Sequence, residues 1–368
     1  MELQCQFPKV HYIWEGGISF VYEVDPRIVV KVPQNEDFAR QQFKKELEIY
    51  RIFSQHPPCP SIISCFLHTD NGIFLEYMRD GPLASRIQNN HTKDRETGAV
   101  IKVGKLEPLT LRKQWMNELT QAVLFLESLN LAHGDLRPEN ILLDRDRLKL
   151  CDFDSTAEIG TYFEACMAPY GRQLMKDEMD ENGEYGGSGY LGPRTEQFAL
   201  GSIFYFINYG FEVYGDRRLT EDPREHGRKV VVELRNMEFP ELNGDPVLDG
   251  LIGKCWHNKY ARIADLAVET REVLLAAQGE EALQGEESDG DDQCAESAGV
   301  GEVVRKDTVV EQRDCIAGVG LTDSDEDFTS KRALCLDFEE RGLLEMLSSA
   351  DPEELGFKVE WYRHSEKN

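Results

Sequence analysis

No apolar run in the 368 residues approaches the ~18–20 residues of a membrane-spanning helix, so a membrane protein of that kind is excluded. The nine cysteines are scattered, odd in number and without a C-x-x-C pair, which argues against a disulfide framework and a structural zinc site. They read as reduced thiols of an intracellular protein, cytoplasmic or nuclear. The start, Met1-Glu-Leu-Gln-Cys, has no basic or apolar leader character, and secretion is not expected. Basic residues are few, 41 against 68 acidic ones, and a net charge of −27 opposes a general nucleic-acid-binding surface. No internal repeat is visible.

The acidity is concentrated rather than spread. From about Gly279 to Asp327 the chain is dominated by Glu, Asp, Ser and Gly, holds about half of the net negative charge and has almost no aromatic residues. Such a stretch offers too little apolar surface to offset the entropy of ordering it. Ser288 and Ser324 stand among these acids, either as acceptors for an acid-directed kinase or as plain solvating residues. Before this stretch the composition is globular. After it, RALCLDFEERGLLEMLSS and FKVEWY regain apolar character.

Short β-branched and aromatic runs predict strands at Ser19–Val24 and Arg27–Val32, separated by the turn signal Asp25-Pro26. Phe43, Leu47, Tyr50 and Phe53 at helical spacing predict a helix over Phe38–Phe53, and Ile73–Met78 reads as another strand. Beyond Gly81 the pattern is helical: Trp115, Leu119, Ala122, Val123 and Leu126 form one stripe, with Thr110 as a cap. Thr195–Tyr209 is apolar nearly all round, as in a helix buried at the centre of a large domain. A strand-rich part followed by a helix-rich part implies an α+β fold with two lobes.

The strongest local signal is His133-Gly-Asp-Leu-Arg-Pro-Glu-Asn140, followed by ILLD and then by Leu148-Lys-Leu-Cys-Asp-Phe-Asp154. The string H-x-D-L-[KR]-P-x-N with an apolar strand ending in D-F-x resembles the protein kinase superfamily. The resemblance, which spans roughly Tyr12 to Leu274, implies a bilobal kinase-like fold with a small β-rich lobe and hinge over 1–78 and a helical lobe over 79–276; composition adds an acidic disordered linker over 277–330 and an amphipathic helical element over 331–368. The resemblance also implies ATP and Mg2+ as cofactors, with Asp135 as catalytic base, Arg137 on the γ-phosphate, and Asn140 and Asp152 as metal ligands.

Lys31, inside the apolar run Ile28-Val-Val-Lys-Val, needs a counter-charge or a ligand. By resemblance it binds the α/β-phosphates and pairs with Glu46 of FKKELEIY, with Glu48 as second choice. Where the family has a glycine-rich loop, Trp14-Glu-Gly-Gly-Ile-Ser-Phe-Val21 stands; Gly16, Gly17, Ser19 and Val21 fall on phosphate- and adenine-covering positions, although Gly16-Gly17 alone reads as an ordinary hairpin turn. Leu75 resembles the gatekeeper, and the Glu76–Met78 backbone the segment that meets adenine. Leu191-Gly-Pro-Arg-Thr-Glu-Gln-Phe-Ala-Leu-Gly resembles the buried helix of the large lobe, with Glu196 in place of an Asp that anchors the catalytic loop. Cys255-Trp256 resembles a pair late in that lobe. The details are similar to small kinase-like proteins from filamentous fungi.

Three departures stand out. Gly134 replaces the Arg of H-R-D, Asp154 replaces the Gly of D-F-G, and Met167-Ala-Pro-Tyr stands for A-P-E, followed by an insert over Gly171–Tyr190. H-G-D with D-F-D also resembles aminoglycoside and choline phosphotransferases, and the altered loop suits a pseudokinase scaffold. The retained set Lys31, Asp135, Arg137, Asn140 and Asp152, with Arg137 above all, implies transfer of the ATP γ-phosphate to Ser/Thr hydroxyls of a protein substrate. In the tail, Leu343, Leu344, Met346 and Leu347 predict an amphipathic helix, Asp351-Pro352 a second helix start, and Trp361-Tyr362 an anchor. This element either packs on the body or docks a partner.

Overall fold

Alternating large apolar residues on strands demand a cover on each face of a sheet, and the first five strands meet that demand on both faces. The computed structural model describes residues 2–162, 167–178, 187–288 and 325–358. A short helix α1 (Glu2–Gln6) precedes β1 (His11–Glu15), β2 (Ser19–Asp25), β3 (Ile28–Pro33), helix α2 (Asp37–Phe53), β4 (Cys65–Thr69) and β5 (Gly72–Glu76). These strands form one antiparallel sheet in the order β1-β2-β3-β5-β4. On β3, Ile28, Val30 and Val32 join one buried cluster and Val29 another, so the strand is buried on both sides.

The large lobe begins with β6 (Gly81–Pro82), α3 (Leu83–Gln88), the hairpin β7 (His91–Lys93) and β8 (Val100–Val103), and α4 (Leu109–Ser128). Thr110, expected as the α4 cap, lies within its first turn; the cap position is Pro108, whose ring holds φ at −52°. Next come β9 (Leu131–Ala132), a 3-10 turn over Pro138–Asn140, β10 (Ile141–Asp144), β11 (Arg147–Leu150) and β12 (Ala157–Glu158). Helices α5 (Pro193–Tyr209), α6 (His226–Arg235), α7 (Pro246–Trp256) and α8 (Ile263–Ser288) complete the lobe. Helix α5 is buried on nearly every side. A Cβ on its Gly201 would lie 2.8 Å from Cys255 Cβ and 3.0 Å from Trp256 Cδ1, so glycine permits the close α5–α7 approach that Cys255-Trp256 occupies. The Trp256 indole donates to Ser202 Oγ at 3.1 Å.

Helix α8 extends past the boundary expected at 276 to Ser288, and α9 (Asp325–Glu340) begins before Lys331; most of the expected linker lies outside the described residues. Helix α10 (Leu343–Leu347) matches the predicted amphipathic helix. The segment opened by Asp351-Pro352 is a turn, closed by Phe357 N–H to Pro352 O at 2.8 Å, and not a helix. Ser324, Trp361 and Tyr362 lie outside the described residues. Leu343, Leu344, Leu347, Cys335 and Phe357 are buried against the sheet face made by Tyr12, Phe20, Tyr22, Phe66 and Phe74. Much of the apolar surface of 331–358 is therefore packed on the chain's own small lobe, while Leu336 stays exposed. Among the described residues no helix is long and apolar enough to cross a membrane.

Candidate active site

Strand alternation turns Lys31 away from the tail and toward the large lobe, on the same face as its cross-strand partner Val21. Helix α2 presents Phe43, Glu46, Leu47 and Tyr50 inward at helical spacing. Lys31 Nζ lies 2.7 Å from Glu46 Oε2 and 2.6 Å from Asp152 Oδ1, and only 8% of the lysine is exposed. Glu48, the second choice as its partner, is exposed and pairs with Arg51. Burial alone would push the Lys31 ammonium down, but the two carboxylates outweigh it and hold it well above its ordinary value. Lys31 in turn holds Asp152 below the usual carboxylate range. Glu46 is wholly buried, and its Oε1 faces no hydrogen-bond donor among the described residues. Burial lifts its carboxyl to about 7 against the pull of Lys31.

The loop after β9 is held from beneath. Glu196, near the start of α5, accepts from His133 N–H at 2.8 Å and Gly134 N–H at 3.4 Å. Its longer arm thus performs the anchoring that the resemblance assigns to an Asp. The buried His133 ring accepts from Asp135 N–H through Nδ1 at 3.2 Å, which leaves the Nε2 proton for Cys151 O at 3.1 Å. Burial lowers its pKa, in keeping with a neutral ring. Asn140, set by the 3-10 turn, donates Nδ2 to both Asp135 O and Asp135 Oδ2 at 2.9 Å. Arg137 Nε lies 3.3 Å from the same Oδ2, with its guanidinium half exposed. Gly134 has φ +77°, and a Cβ there would sit 2.6 Å from Ser155 O. The glycine is required by a backbone-to-backbone approach, a reason invisible in the H-G-D string.

Asp152 adopts φ +66°, which sends its carboxylate to Lys31 and the next side chain inward. Phe153 packs against Tyr50, Phe53 and His133, with ring centroids 5.6, 5.0 and 5.4 Å away. Asp154 Oδ1 accepts from Ser155 Oγ at 3.0 Å, a local turn contact. Burial, then the neighbouring Asp152, pushes its carboxyl up.

The remaining predicted residues surround this centre. Gly16 N–H donates to Ser19 O at 2.8 Å, closing a tight hairpin; neither Gly16 nor Gly17 has positive φ. Gln34 Nε2 holds Gly16 O at 3.0 Å. Leu75 and Met78 are buried in the interlobe core. The N–H groups of Glu76 and Tyr77 donate to Ser64 O and Arg27 O at 2.9 and 3.0 Å, so both are engaged within the chain. The Glu76 carboxylate pairs with Lys149 Nζ at 2.5 Å, both residues being buried. The sequence hint for this pair was a lysine inside the apolar strand β11, the same signal that marked Lys31. Where A-P-E is expected, Tyr170 OH donates to Glu212 Oε1 at 3.0 Å and Arg172 forms a two-pronged pair with Glu178 at 2.7 and 2.6 Å. These contacts tie the segment down without the missing glutamate. A cavity of about 210 Å³ opens beside Asp135 and Arg137, walled by Glu139, Met167, Pro169, Tyr170 and Glu212.

A lysine from an antiparallel sheet, bridged to a helix glutamate and to a carboxylate of the opposite lobe, beside an Asp–Asn loop, defines a bilobal kinase-type molecule. The chain matches the protein kinase domain family over residues 15–262 and belongs to it. It is 24% identical over 289 residues to CBL-interacting protein kinase 28 of Oryza sativa subsp. japonica, covering 73% of this chain and 60% of that one. Serine/threonine-protein kinase CST20 of Candida albicans is 26% identical over 255 residues, 67% of this chain and 18% of its own length. MAP kinase-activated protein kinase 2 of Cricetulus longicaudatus is 26% identical over 218 residues, 54% of this chain and 56% of its own. The matches therefore span less than two thirds of each relative.

Glu196 supplies a pH prediction. Burial holds its carboxyl at about 7 despite the downward pull of two backbone N–H groups. A pKa raised on folding means that the folded state binds the extra proton, so this contribution is full below the ordinary carboxylate pKa and is lost as pH rises through 7. The Tm of wild type minus that of Glu196→Gln is expected to fall between pH 4.5 and 8, and a pH-independent difference would contradict it. At all pH values Gln leaves one N–H facing an amide NH2, at a cost of about 1–3 kcal/mol.

Proposed function

We propose that the chain transfers the γ-phosphate of ATP, as its Mg2+ complex, to a Ser or Thr hydroxyl of a protein substrate. The observation that carries this reading is Lys31 joining Glu46 and Asp152 within 2.7 Å across the two lobes. The donor set suits the metal. Asn140 gives its amide nitrogen to Asp135, which leaves Oδ1 to ligate a metal, and Asp152 would supply a carboxylate. No three His, Cys, Asp or Glu side chains converge as a metal cage among the described residues, but Mg2+ held by nucleotide phosphates needs only about one or two carboxylates. Glu46, Asp135, Asp152 and Asp154 also outnumber Lys31 and Arg137, so the site favours added positive charge. When bound, Mg2+ neutralises phosphate charge as the transferring group departs.

The chain's own groups supply the rest. Lys31 steadies the α/β-phosphates from the small lobe. Asp135 orients the acceptor hydroxyl and accepts its proton, positioned by Asn140 and Arg137. Arg137 turns its free guanidinium edge to the γ-phosphate, and the 210 Å³ cavity admits the acceptor side chain. Catalysis is then mainly positioning and charge neutralisation. The Ser/Thr preference rests on Arg137 and on the names of the relatives.

The test is transfer of labelled phosphate from ATP to a protein substrate by purified chain, with and without a chelator. Transfer is expected to stop when Mg2+ is removed. Saturating nucleotide is expected to stabilise the fold by about 2.7 kcal/mol at a hundred times Kd, and chelation to reduce that shift. A thermal shift without turnover would replace this reading with a nucleotide-binding scaffold; no shift at millimolar nucleotide would remove nucleotide altogether.

A further inference from the structure

The face of the sheet opposite Lys31 carries Tyr12, Phe20, Tyr22, Ile28, Val30, Val32, Phe66 and Phe74, all buried, although α2 lies on the other side. The cover is the segment 325–358 together with α1. Phe338 stacks on Phe74 with centroids 6.4 Å apart and an 8° interplanar angle, and Phe357 meets Tyr22 at 5.4 Å. Polar contacts pin the edges: Arg332 Nη1 donates to Phe66 O at 3.3 Å, Gln6 Nε2 to Arg341 O at 3.0 Å, and Asp327 lies 3.6 Å from Arg27.

One contact falls directly behind the phosphotransfer site. A Cβ on Gly72 of β5 would meet Leu344 Cδ2 at 2.6 Å, Leu344 Cδ1 at 3.3 Å and the Lys31 carbonyl oxygen at 3.3 Å. Gly72 is thus a notch that seats Leu344 on β5, one residue before Ile73, the cross-strand partner of Lys31. On the far side of β3 the same residue sends its ammonium to Glu46 and Asp152.

We propose that Leu344 is a positioning residue: it braces β3 from behind and so keeps Lys31 on Glu46 and Asp152. In its kinetic part this rests on the proposed phosphotransfer. Close packing makes the brace effective, because truncating a buried branched side chain removes its contacts and leaves a cavity that the lining fills only in part. Leu347, fully buried in the same cluster, serves as the comparison, since it lies in the tail without the Gly72 contact.

The experiment uses the full chain as wild type, Leu344→Ala, Leu344→Met and Leu347→Ala, all well below their Tm. Hydrogen exchange of the amides over 28–32 is expected to quicken about tenfold in Leu344→Ala, the size of a coupling between touching groups. The KM for ATP is expected to rise severalfold, with Leu344→Met near wild type and Leu347→Ala lowering Tm while leaving β3 exchange and KM unchanged. If Leu344→Ala lowers Tm but moves neither β3 exchange nor KM, or if Leu347→Ala moves both equally, the brace is ordinary packing and the proposal is overturned. Should the wild type show no turnover, the phosphotransfer reading fails, while the exchange comparison still decides on Leu344.

Discussion

Asp135→Asn is expected to lower kcat for phosphate transfer by about 10²–10⁴-fold, the range for loss of a positioned general base. The substitution is close to isosteric. Its side-chain oxygen can still accept from Asn140 Nδ2, now at 2.9 Å, and face Arg137 Nε, now at 3.3 Å. The Arg137 side chain is half exposed, so loss of this ion pair costs no more than about 1 kcal/mol. Nucleotide binding, which the proposed reading assigns to Lys31 and Asp152, should therefore persist. Single-turnover kinetics beside an ATP thermal shift checks both halves. Equal phosphate incorporation by wild type and variant would show that the counted activity is not this chain's.

Gly134→Arg, which writes the family's more usual H-R-D into the loop, is expected to damage the protein rather than to improve it. The new Cβ would lie 2.6 Å from Ser155 O, and φ is +77°. Both the contact and the left-handed conformation are backbone properties that a rotamer change cannot relieve. Glu196 also grips the Gly134 N–H, so the loop cannot shift freely. A loss of about 3–5 kcal/mol, at the upper end for one substitution, follows from these combined strains. For a domain of this size that lowers Tm by roughly 10 °C, readable by calorimetry. A variant with wild-type Tm would mean that the loop and Ser155 separate easily.

Much of this site could be read in the one-letter string because its chemistry demands particular residues in a row. Lys31 betrayed itself as a charge inside an apolar strand, whereas Glu46 was chosen over Glu48 only by resemblance; in the structure it is the inward carboxylate beside Phe43, Leu47 and Tyr50. Other features left weaker traces. The Glu76–Lys149 pair joins residues 73 positions apart, and no local pattern says which buried lysine meets which carboxylate. The need for Gly134 comes from Ser155, twenty-one residues on, through backbone atoms common to every residue type. Helix α8 runs into the acidic stretch as far as Ser288, which the composition there did not foretell. The covered back of the sheet did have a signal: Phe20, Tyr22 and Val24 alternate on β2 as a second apolar face that α2 could not also cover. What covered it depended on pairing the two ends of the chain.

Helix α9 begins at Asp325, whereas β3 ends at Pro33. At ~5–20 residues per second of synthesis, the ribosome adds that helix roughly 15–60 s after the strands have emerged. During this interval the aromatic side of the small lobe faces the cell water without its lid. A chain cut before Asp325 would leave that surface bare, and exposed apolar surface of this kind is what aggregation acts on.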